Sequence, residues 1–178
     1  FDEPGEPPAY GFAGWVKGRN EAILYDRFDL WVIDLTGKRK SYCLTKGYGR
    51  KHLQELRLEP LRADMFKIQK RMNEIDLRMA MLLKSYSKET KSNGFYVLTK
   101  QKEVKPLMEG PFLYQLADIS KNGKKCLWFR QNYHESPDLW WSDVDFSNPT
   151  RVTHANPQQE LYRWGTVKVV SWKTFNSK

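Results

Sequence analysis

Short apolar runs separated by polar turns recur along this chain and predict β-strands. In the first group, glycine-containing turns at 17–20 and 36–38 help to separate four such runs, at Tyr10–Trp15, Ala22–Tyr25, Asp29–Asp34 and Tyr42–Thr45. Runs of this length bounded by Gly and Asn are typical of strands in antiparallel sheets. The N-terminal part of the chain therefore predicts one four-stranded unit.

A second group with the same order of runs and turns lies near the C-terminus. Its runs are Phe112–Leu116, Cys126–Phe129, Asp138–Asp143 and Arg151–Thr153. The residues Asp-Leu-Trp open the third run in both groups, at Asp29 and at Asp138. The chain thus contains an internal repeat, which indicates a repeat architecture.

A longer unit lies between these two groups. Its strand signals are Leu53–Leu58, Met81–Tyr86, Phe95–Leu98 and Lys105–Met108. Trp31 and Tyr96 are 65 residues apart, whereas Tyr96 and Trp140 are 44 residues apart. The middle unit therefore carries about 20 extra residues, between Pro60 and Met79.

The extra segment predicts either a helix or a β-excursion. Apolar residues recur in it at spacings of three or four, at Met65, Ile68, Met72, Ile75, Met79 and Leu82. This spacing favours a helix packed on the sheets. The alternation within Glu74–Met79 favours a β-excursion, and the partial helix is the preferred interpretation.

Four short strands in each unit of about 40–45 residues are typical of β-propeller blades. The predicted fold class is therefore all-β, with about three consecutive four-stranded antiparallel blades at 10–50, 53–110 and 112–156. Three tryptophans on strands are expected to pack between the sheets, namely Trp31, Trp140 and Trp141. Because three blades cannot close a ring of about four to eight, partners are expected, from the same chain or from a second copy.

Several stretches resemble the propeller domain of the prolyl oligopeptidase superfamily of serine peptidases, of the dipeptidyl-peptidase-like kind. They are Tyr25–Trp31, Leu44–Arg50, Asn93–Tyr96, Ser136–Trp140, Asp145–Pro149, Ala155–Gln159 and Trp164–Thr166. The resemblance implies that residues 1–178 form part of such a propeller, with 157–178 as an exit strand towards a missing α/β-hydrolase domain. The start at Phe1, without an initiator Met or a signal peptide, also suggests a piece of a longer protein.

The resemblance implies a role without chemistry of its own. In the family, the propeller covers the hydrolase active site and limits access to short peptides, so the expected partners are the hydrolase domain, the remaining blades and peptide substrates. Some members hold the substrate amino terminus with acidic residues and its carbonyls with an arginine. Five residues at strand ends or in loops are the candidates here: Arg27, Asp29, Arg130, His134 and Glu135. Local salt bridges or solvent exposure are the alternative for them, and a periplasmic or secreted location is expected.

The residues predict no catalytic site, cofactor or metal. No G-x-S-x-G elbow or phosphate-binding glycine loop is present, and the histidines, at 52, 134 and 154, are expected to be surface or hydrogen-bonding residues. Asp138, Asp143 and Asp145 are expected in Asx turns rather than in a metal loop. Cys43 and Cys126 lack metal-ligand spacing, and a disulfide between them is left open.

Net charge and hydropathy bear on two further classes of protein, nucleic-acid-binding proteins and membrane-spanning proteins. The net charge is +9, but the basic residues are scattered among acidic ones, so nucleic-acid binding is not expected. The longest apolar run, Met79–Leu83, is far shorter than the ~20 residues that span a bilayer. The alternative to the peptidase propeller is a stand-alone β-repeat interaction module, whose open strand edges would recruit other strands or a second copy.

Overall fold

The computed structural model describes residues 8–59, 74–165, 167–172 and 175, which fold into three β-sheets. The strands are β1 Phe12–Val16, β2 Glu21–Tyr25, β3 Leu30–Asp34, β4 Tyr42–Cys43, β5 Gln54–Leu58, β6 Glu74–Ile75, β7 Met81–Ser87, β8 Asn93–Leu98, β9 Val104–Gly110, β10 Leu113–Ile119, β11 Lys125–Gln131, β12 Asp138–Asp143 and β13 Thr150–Arg151. A single helical turn, α1 (Tyr48–Lys51), follows β4, and a 3-10 helix spans Pro157–Leu161. The all-β class predicted from the sequence is confirmed.

Each sheet contains four strands that are neighbours in space in the same order as in the chain. The first sheet has the order β4-β3-β2-β1, the second β5-β7-β8-β9 and the third β10-β11-β12-β13, and all of these pairs are antiparallel. Every predicted strand run overlaps one of these strands. The described residues do not form a closed ring of sheets, and the interpretation of the sheets as propeller blades stays a prediction.

A short strand from the middle of the chain extends the first sheet. β6 pairs in parallel with β1, with Trp15 opposite Glu74 and Val16 opposite Ile75. The Lys17 amide lengthens this pairing by donating a hydrogen bond to the Ile75 carbonyl oxygen at 2.9 Å. The second unit therefore reaches back to the free edge of the first sheet.

The predicted helical stripe is wrong at its C-terminal end. Ile75 lies in β6, Met79 lies in a bend and Leu82 lies in β7. Pairing with β1 and β8 satisfies the backbone of this segment, so the helix is not needed there. The remaining stripe residues, Met65, Ile68 and Met72, lie outside the described residues.

Two apolar cores separate the three sheets. The core between the first and second sheets contains Ala13, Val16, Ile23, Leu30, Val32, Leu44, Leu56, Leu83, Tyr96 and Leu98. The core between the second and third sheets contains Phe95, Tyr114, Leu116, Cys126, Trp128 and Phe146. In the latter, the rings of Phe95 and Phe146 stack with centroids 4.5 Å apart, and those of Trp128 and Trp140 stack at 5.5 Å.

The second sheet is buried on both faces. Successive side chains of a strand point to opposite faces, so β8 sends Phe95 into one core and Tyr96 and Leu98 into the other. β8 also approaches β9 closely, because a Cβ atom at Gly94 would lie 2.2 Å from the Met108 carbonyl oxygen. The second sheet therefore contributes side chains to both cores.

Two of the three tryptophans singled out from the sequence do not pack between sheets. Trp31 alternates with the core residues Leu30 and Val32, so its ring lies on the outer face of the first sheet. Trp141 is 37% exposed on the outer face of the third sheet. Trp140 does contact the second core, where the fully buried tryptophan is Trp128.

The C-terminal segment exposes apolar side chains. After the 3-10 helix, residues 162–165 and 167–172 contain no strand, so the predicted exit strand is not seen within them. Trp164, Val167, Val169 and Trp172 are all more than 45% exposed.

Candidate functional site

The five predicted site residues fall into two separate groups. Arg27 and Asp29 lie in the turn between β2 and β3, whereas Arg130, His134 and Glu135 lie at the end of β11 and in the loop that leads to β12. No hydrogen bond or ion pair between the two groups occurs in the part of the chain that the structure describes. The sequence-based candidates therefore do not form one constellation.

Asp29 is 1% exposed, and the loop between β4 and β5, which contains α1, supplies the donors to its carboxylate. The Oδ1 atom accepts hydrogen bonds from the Thr45 hydroxyl at 2.7 Å and from the Gly49 amide at 2.9 Å, and Oδ2 accepts one from the Arg50 amide at 2.9 Å. Thr45 Oγ in turn accepts a hydrogen bond from the Leu30 amide at 3.2 Å. We call this arrangement the first-sheet clasp. It holds the loop that contains α1, so Asp29 is not available to a ligand.

The third sheet contains the same arrangement around Asp138, which is 4% exposed. Its Oδ1 accepts hydrogen bonds from the Thr153 hydroxyl at 2.7 Å and from the Ala155 amide at 2.8 Å. The Leu139 amide donates to Thr153 Oγ at 2.9 Å, as Leu30 does in the first sheet. Its Oδ2 accepts a hydrogen bond from the Arg151 guanidinium. We call this the third-sheet clasp.

The third-sheet clasp corrects the prediction for Asp138 and has a physical effect on its titration. Asp138 lies in a buried network rather than in an Asx turn, whereas Asp145 does form such a turn with the Ser147 amide at 3.0 Å. Burial raises the pKa of the Asp138 carboxyl, but the hydrogen bonds from Thr153 and Arg151 outweigh it, and the pKa lies below its usual value. The sequence signal that marks both clasps is the repeated Asp-Leu-Trp, with a threonine 16 residues after Asp29 and 15 residues after Asp138.

Arg130 and Glu135 form an ordered pair at the start of the β11–β12 loop. The Nε and Nη2 atoms of Arg130 donate to Glu135 Oε2 at 3.1 and 2.7 Å. The guanidinium carbon lies 4.4 Å from the Phe112 ring centroid and 4.2 Å from that of Trp140. Asn132 closes the loop, because its Oδ1 accepts the amides of His134 and Glu135 at 2.8 Å each. The pair therefore fixes the conformation of the loop on the sheet.

A groove of about 730 Å³ lies beside this loop, between the β7–β8 turn and the third sheet. His134 is exposed, and its ring meets that of Tyr133 edge-on at 5.5 Å. The groove is lined with charged, amide and aromatic side chains, among them Lys91, Asn93, Phe112, Gln131, Tyr133 and His134. Its mixture of hydrogen-bonding and aromatic groups suits an extended peptide.

Arg27 lies apart from this groove and is exposed. Its guanidinium carbon is 5.3 Å from the Phe28 ring centroid, and its carbonyl oxygen accepts a hydrogen bond from Arg57 Nη2 at 3.3 Å. The Arg27 side chain has no acidic partner within the described residues.

In the part of the chain that the structure describes, no serine or cysteine side chain is hydrogen-bonded to a histidine, and His154 contacts Glu160 at 4.0 Å. Cys43 and Cys126 are both free thiols, and burial raises the pKa of the Cys126 thiol. Among these residues there is also no group of three or more His, Cys, Asp and Glu placed to hold a metal ion.

No helix in the described part of the chain is long and apolar enough to cross a membrane. Comparison with known proteins found no matching family model, no matching curated protein and no matching solved structure.

Proposed function

We propose that this chain is a non-catalytic part of the propeller of a prolyl-oligopeptidase-like serine peptidase and that it gates the access of short peptides. The observation that carries the proposal is the series of three stacked sheets, each of which contains four antiparallel strands in the order of the chain. It supports the blade interpretation because successive blades of a propeller have this order. The resemblance of the repeated stretches to that superfamily supplies the peptidase part of the proposal.

The groove beside His134 is the peptide-contacting surface in this proposal. An extended peptide carries a regular series of amide and carbonyl groups, and Asn93 and Gln131 offer partners of both kinds. Lys91 adds a positive charge for a carboxylate, and Phe112 and Tyr133 add apolar area. The Arg130–Glu135 pair keeps the loop in position without contacting the peptide itself.

Binding to the chain itself tests the groove. We expect N-acetylated tetrapeptide amides to shift the NMR resonances of Asn93, Gln131 and His134, and His134→Ala to weaken this binding several-fold. His154→Ala is the matched control, because His154 is exposed and lies outside the groove. Shifts spread evenly over the surface, or none at all, would contradict the peptide-contacting role.

Kinetics test the peptidase part of the proposal in the longer protein that it requires. Arg130→Ala loosens the loop, so we expect a higher KM for short peptides with an unchanged kcat, whereas Arg27→Ala, outside the groove, leaves both unchanged. Hydrolysis that is insensitive to Arg130→Ala for every peptide length would remove gating from this surface.

A stand-alone interaction module is the second candidate, because one sheet face exposes large apolar side chains. On the outer face of the third sheet, Leu113, Leu127, Phe129 and Trp141 are each 37–43% exposed. Leu127 lies directly opposite Trp141, and exposed apolar patches mark interaction sites. Sedimentation velocity separates the candidates. A discrete assembly that Phe129→Glu dissolves supports the module, whereas open-ended self-association supports a propeller part.

A further inference from the structure

A cavity of about 470 Å³ lies at one end of the core between the first and second sheets. The ends of β1, β2, β5 and β7 border it, together with the short strand β6. Its apolar lining residues are Phe12, Ala13, Tyr25, Leu58, Ile75, Met79, Ala80, Met81 and Leu82. Small-molecule sites are mostly apolar cavities of roughly 300–1,000 Å³, so this cavity has the size and lining of a ligand site.

The cavity is open to solvent. Phe12 and Met79, two of its large apolar side chains, are 48% and 55% exposed. Tyr25, Leu58 and Met81, by contrast, are partly buried and pack against the core between the two sheets. The apolar surface of the core is therefore accessible at this end, and a ligand can reach it from solution.

Hydrogen bonds hold the walls of the cavity in place. The Tyr25 hydroxyl accepts a hydrogen bond from the Leu58 amide at 3.1 Å, which joins the ends of β2 and β5. The Glu59 amide donates to the Leu82 carbonyl oxygen at 3.0 Å, and the Lys17 amide fastens β6 to β1. The two methionines make the lining adaptable, because an unbranched thioether side chain fits ligands of different shape.

The charged groups among the described residues that line the cavity are all carboxylates, those of Glu59, Glu74 and Asp76. Asp76 is already paired, because Arg78 donates to its Oδ1 at 2.9 Å and to its Oδ2 at 2.6 Å. Glu74 is exposed, and its side chain forms no ion pair or hydrogen bond within the described residues. A carboxylate without a counter-charge thus lines an apolar cavity in a chain whose net charge is +9.

We propose that this cavity binds a small amphiphilic amine, with the apolar body of the ligand between the sheets and its ammonium group against Glu74. Apolar area removed from water supplies the affinity. The carboxylate selects a cation over a neutral or anionic ligand of the same shape, and the preference is modest because an exposed ion pair is weak. The cavity shares no lining residue with the groove beside His134, and the proposal does not depend on the peptidase function.

The test is an NMR titration at neutral pH of the 178-residue chain, with isotope-labelled methionine methyl groups, against octylamine, octan-1-ol and octanoate. We expect saturable shifts of the Met79 and Met81 methyl signals. The Met108 signal should not shift, because Met108 packs against the core between the second and third sheets. Octylamine should bind about threefold more tightly than octan-1-ol and about tenfold more tightly than octanoate.

Three variants separate the carboxylate from the apolar cavity. Glu74→Gln should weaken octylamine binding about threefold and leave octan-1-ol binding unchanged. The matched control is Glu89→Gln, which removes an exposed carboxylate that lies outside the cavity and has no partner within the described residues, and we expect no change there. Ala80→Trp fills the cavity from an exposed position, so it should abolish the binding of both ligands. An unchanged Met108 signal shows that each variant is folded.

Equal shifts at Met79, Met81 and Met108, equal binding of octylamine and octanoate, or equal losses in Glu74→Gln and Glu89→Gln would each overturn the proposal. Binding that survives Ala80→Trp would also overturn it. Tighter binding of acetyl-Leu-Lys-Leu amide than of octylamine would assign the cavity to a side chain of a partner protein instead. Binding that appears only when residues 60–73, which lie outside the described residues, are replaced by a glycine-serine linker would assign it to the chain itself.

Discussion

Asp29 and Asp138 occupy the same place in two different sheets, yet different groups neutralise them. Asp29 receives hydrogen bonds from one hydroxyl and two main-chain amides, so its contacts depend on the main-chain conformation of the loop that contains α1. Asp138 receives a hydroxyl, one amide and the guanidinium of Arg151, a side chain that is 41% exposed. The position of the acceptor is therefore the same in the two sheets, but the groups that donate hydrogen bonds to it differ. The first-sheet clasp is therefore expected to be the less replaceable of the two.

Replacing each aspartate with alanine should give the largest difference in stability between the two clasps. Asp29→Ala leaves the Thr45 hydroxyl and the Gly49 and Arg50 amides without their acceptor, and we expect the free energy of unfolding to fall by about 3–5 kcal/mol. Asp138→Ala should cost about 2–3 kcal/mol, because Arg151 can turn towards water. Urea unfolding followed by tryptophan fluorescence measures both, and equal losses would show that the main-chain donors give no additional stability.

Removing the hydroxyl of each clasp threonine should give a smaller difference in the free energy of unfolding. Thr45 is 1% exposed, whereas Thr153 is exposed. We expect Thr45→Val to lower the free energy of unfolding by about 2 kcal/mol and Thr153→Val by about 1 kcal/mol, because water can replace the lost partner only at Thr153. Thermal unfolding midpoints measure the difference. A larger loss at Thr153 would contradict the ranking.

Lowering the pH should have the smallest effect on stability of these changes, and it should act through the third-sheet clasp. The pKa of Asp138 is lower in the folded chain than in the unfolded chain, so its ionised form stabilises the fold above the unfolded value of about 3.9, and this stability is lost as the pH falls through the folded value. We expect the wild type to lose more stability than Asp138→Asn between about pH 6 and pH 3. Asp118→Asn removes an exposed charge in β10, away from Arg151, and should keep the wild-type pH dependence of the urea midpoint. Parallel curves for wild type and Asp138→Asn would rule out this role.

The strands could be predicted from the sequence because short apolar runs bounded by polar turns mark them, whether one face of the sheet is covered or both. The side of the sheet that each residue faces could not be predicted. Trp140 and Trp141 are adjacent in β12 and look equivalent in the sequence, but only Trp140 meets the core, because the face that is covered depends on the sheet packed against it. In the same way, the spacings of three and four in Ile75–Leu82 predicted a helix. The segment forms strands instead, because Ile75 pairs with β1 and Leu82 pairs with β8.

The candidate site was partly predictable. The loop with Arg130, His134 and Glu135 was found from its position at a strand end, where polar side chains collect. Asp29 was included for the same reason, but a sequence shows the type of a residue and not the direction of its side chain. Away from this site, the hydrogen bond between Gln54 and Glu109 could not be predicted, because the two residues are 55 positions apart and meet only through the pairing of the strands between them.

The two-sided burial of β8 has a consequence for how the chain unfolds. Phe95 and Tyr96 are covalent neighbours that belong to different cores, so a displacement of this strand loosens both cores at once. The three sheets should then melt in one cooperative transition rather than sheet by sheet, and hydrogen exchange of the β8 amides should report the global opening of the molecule.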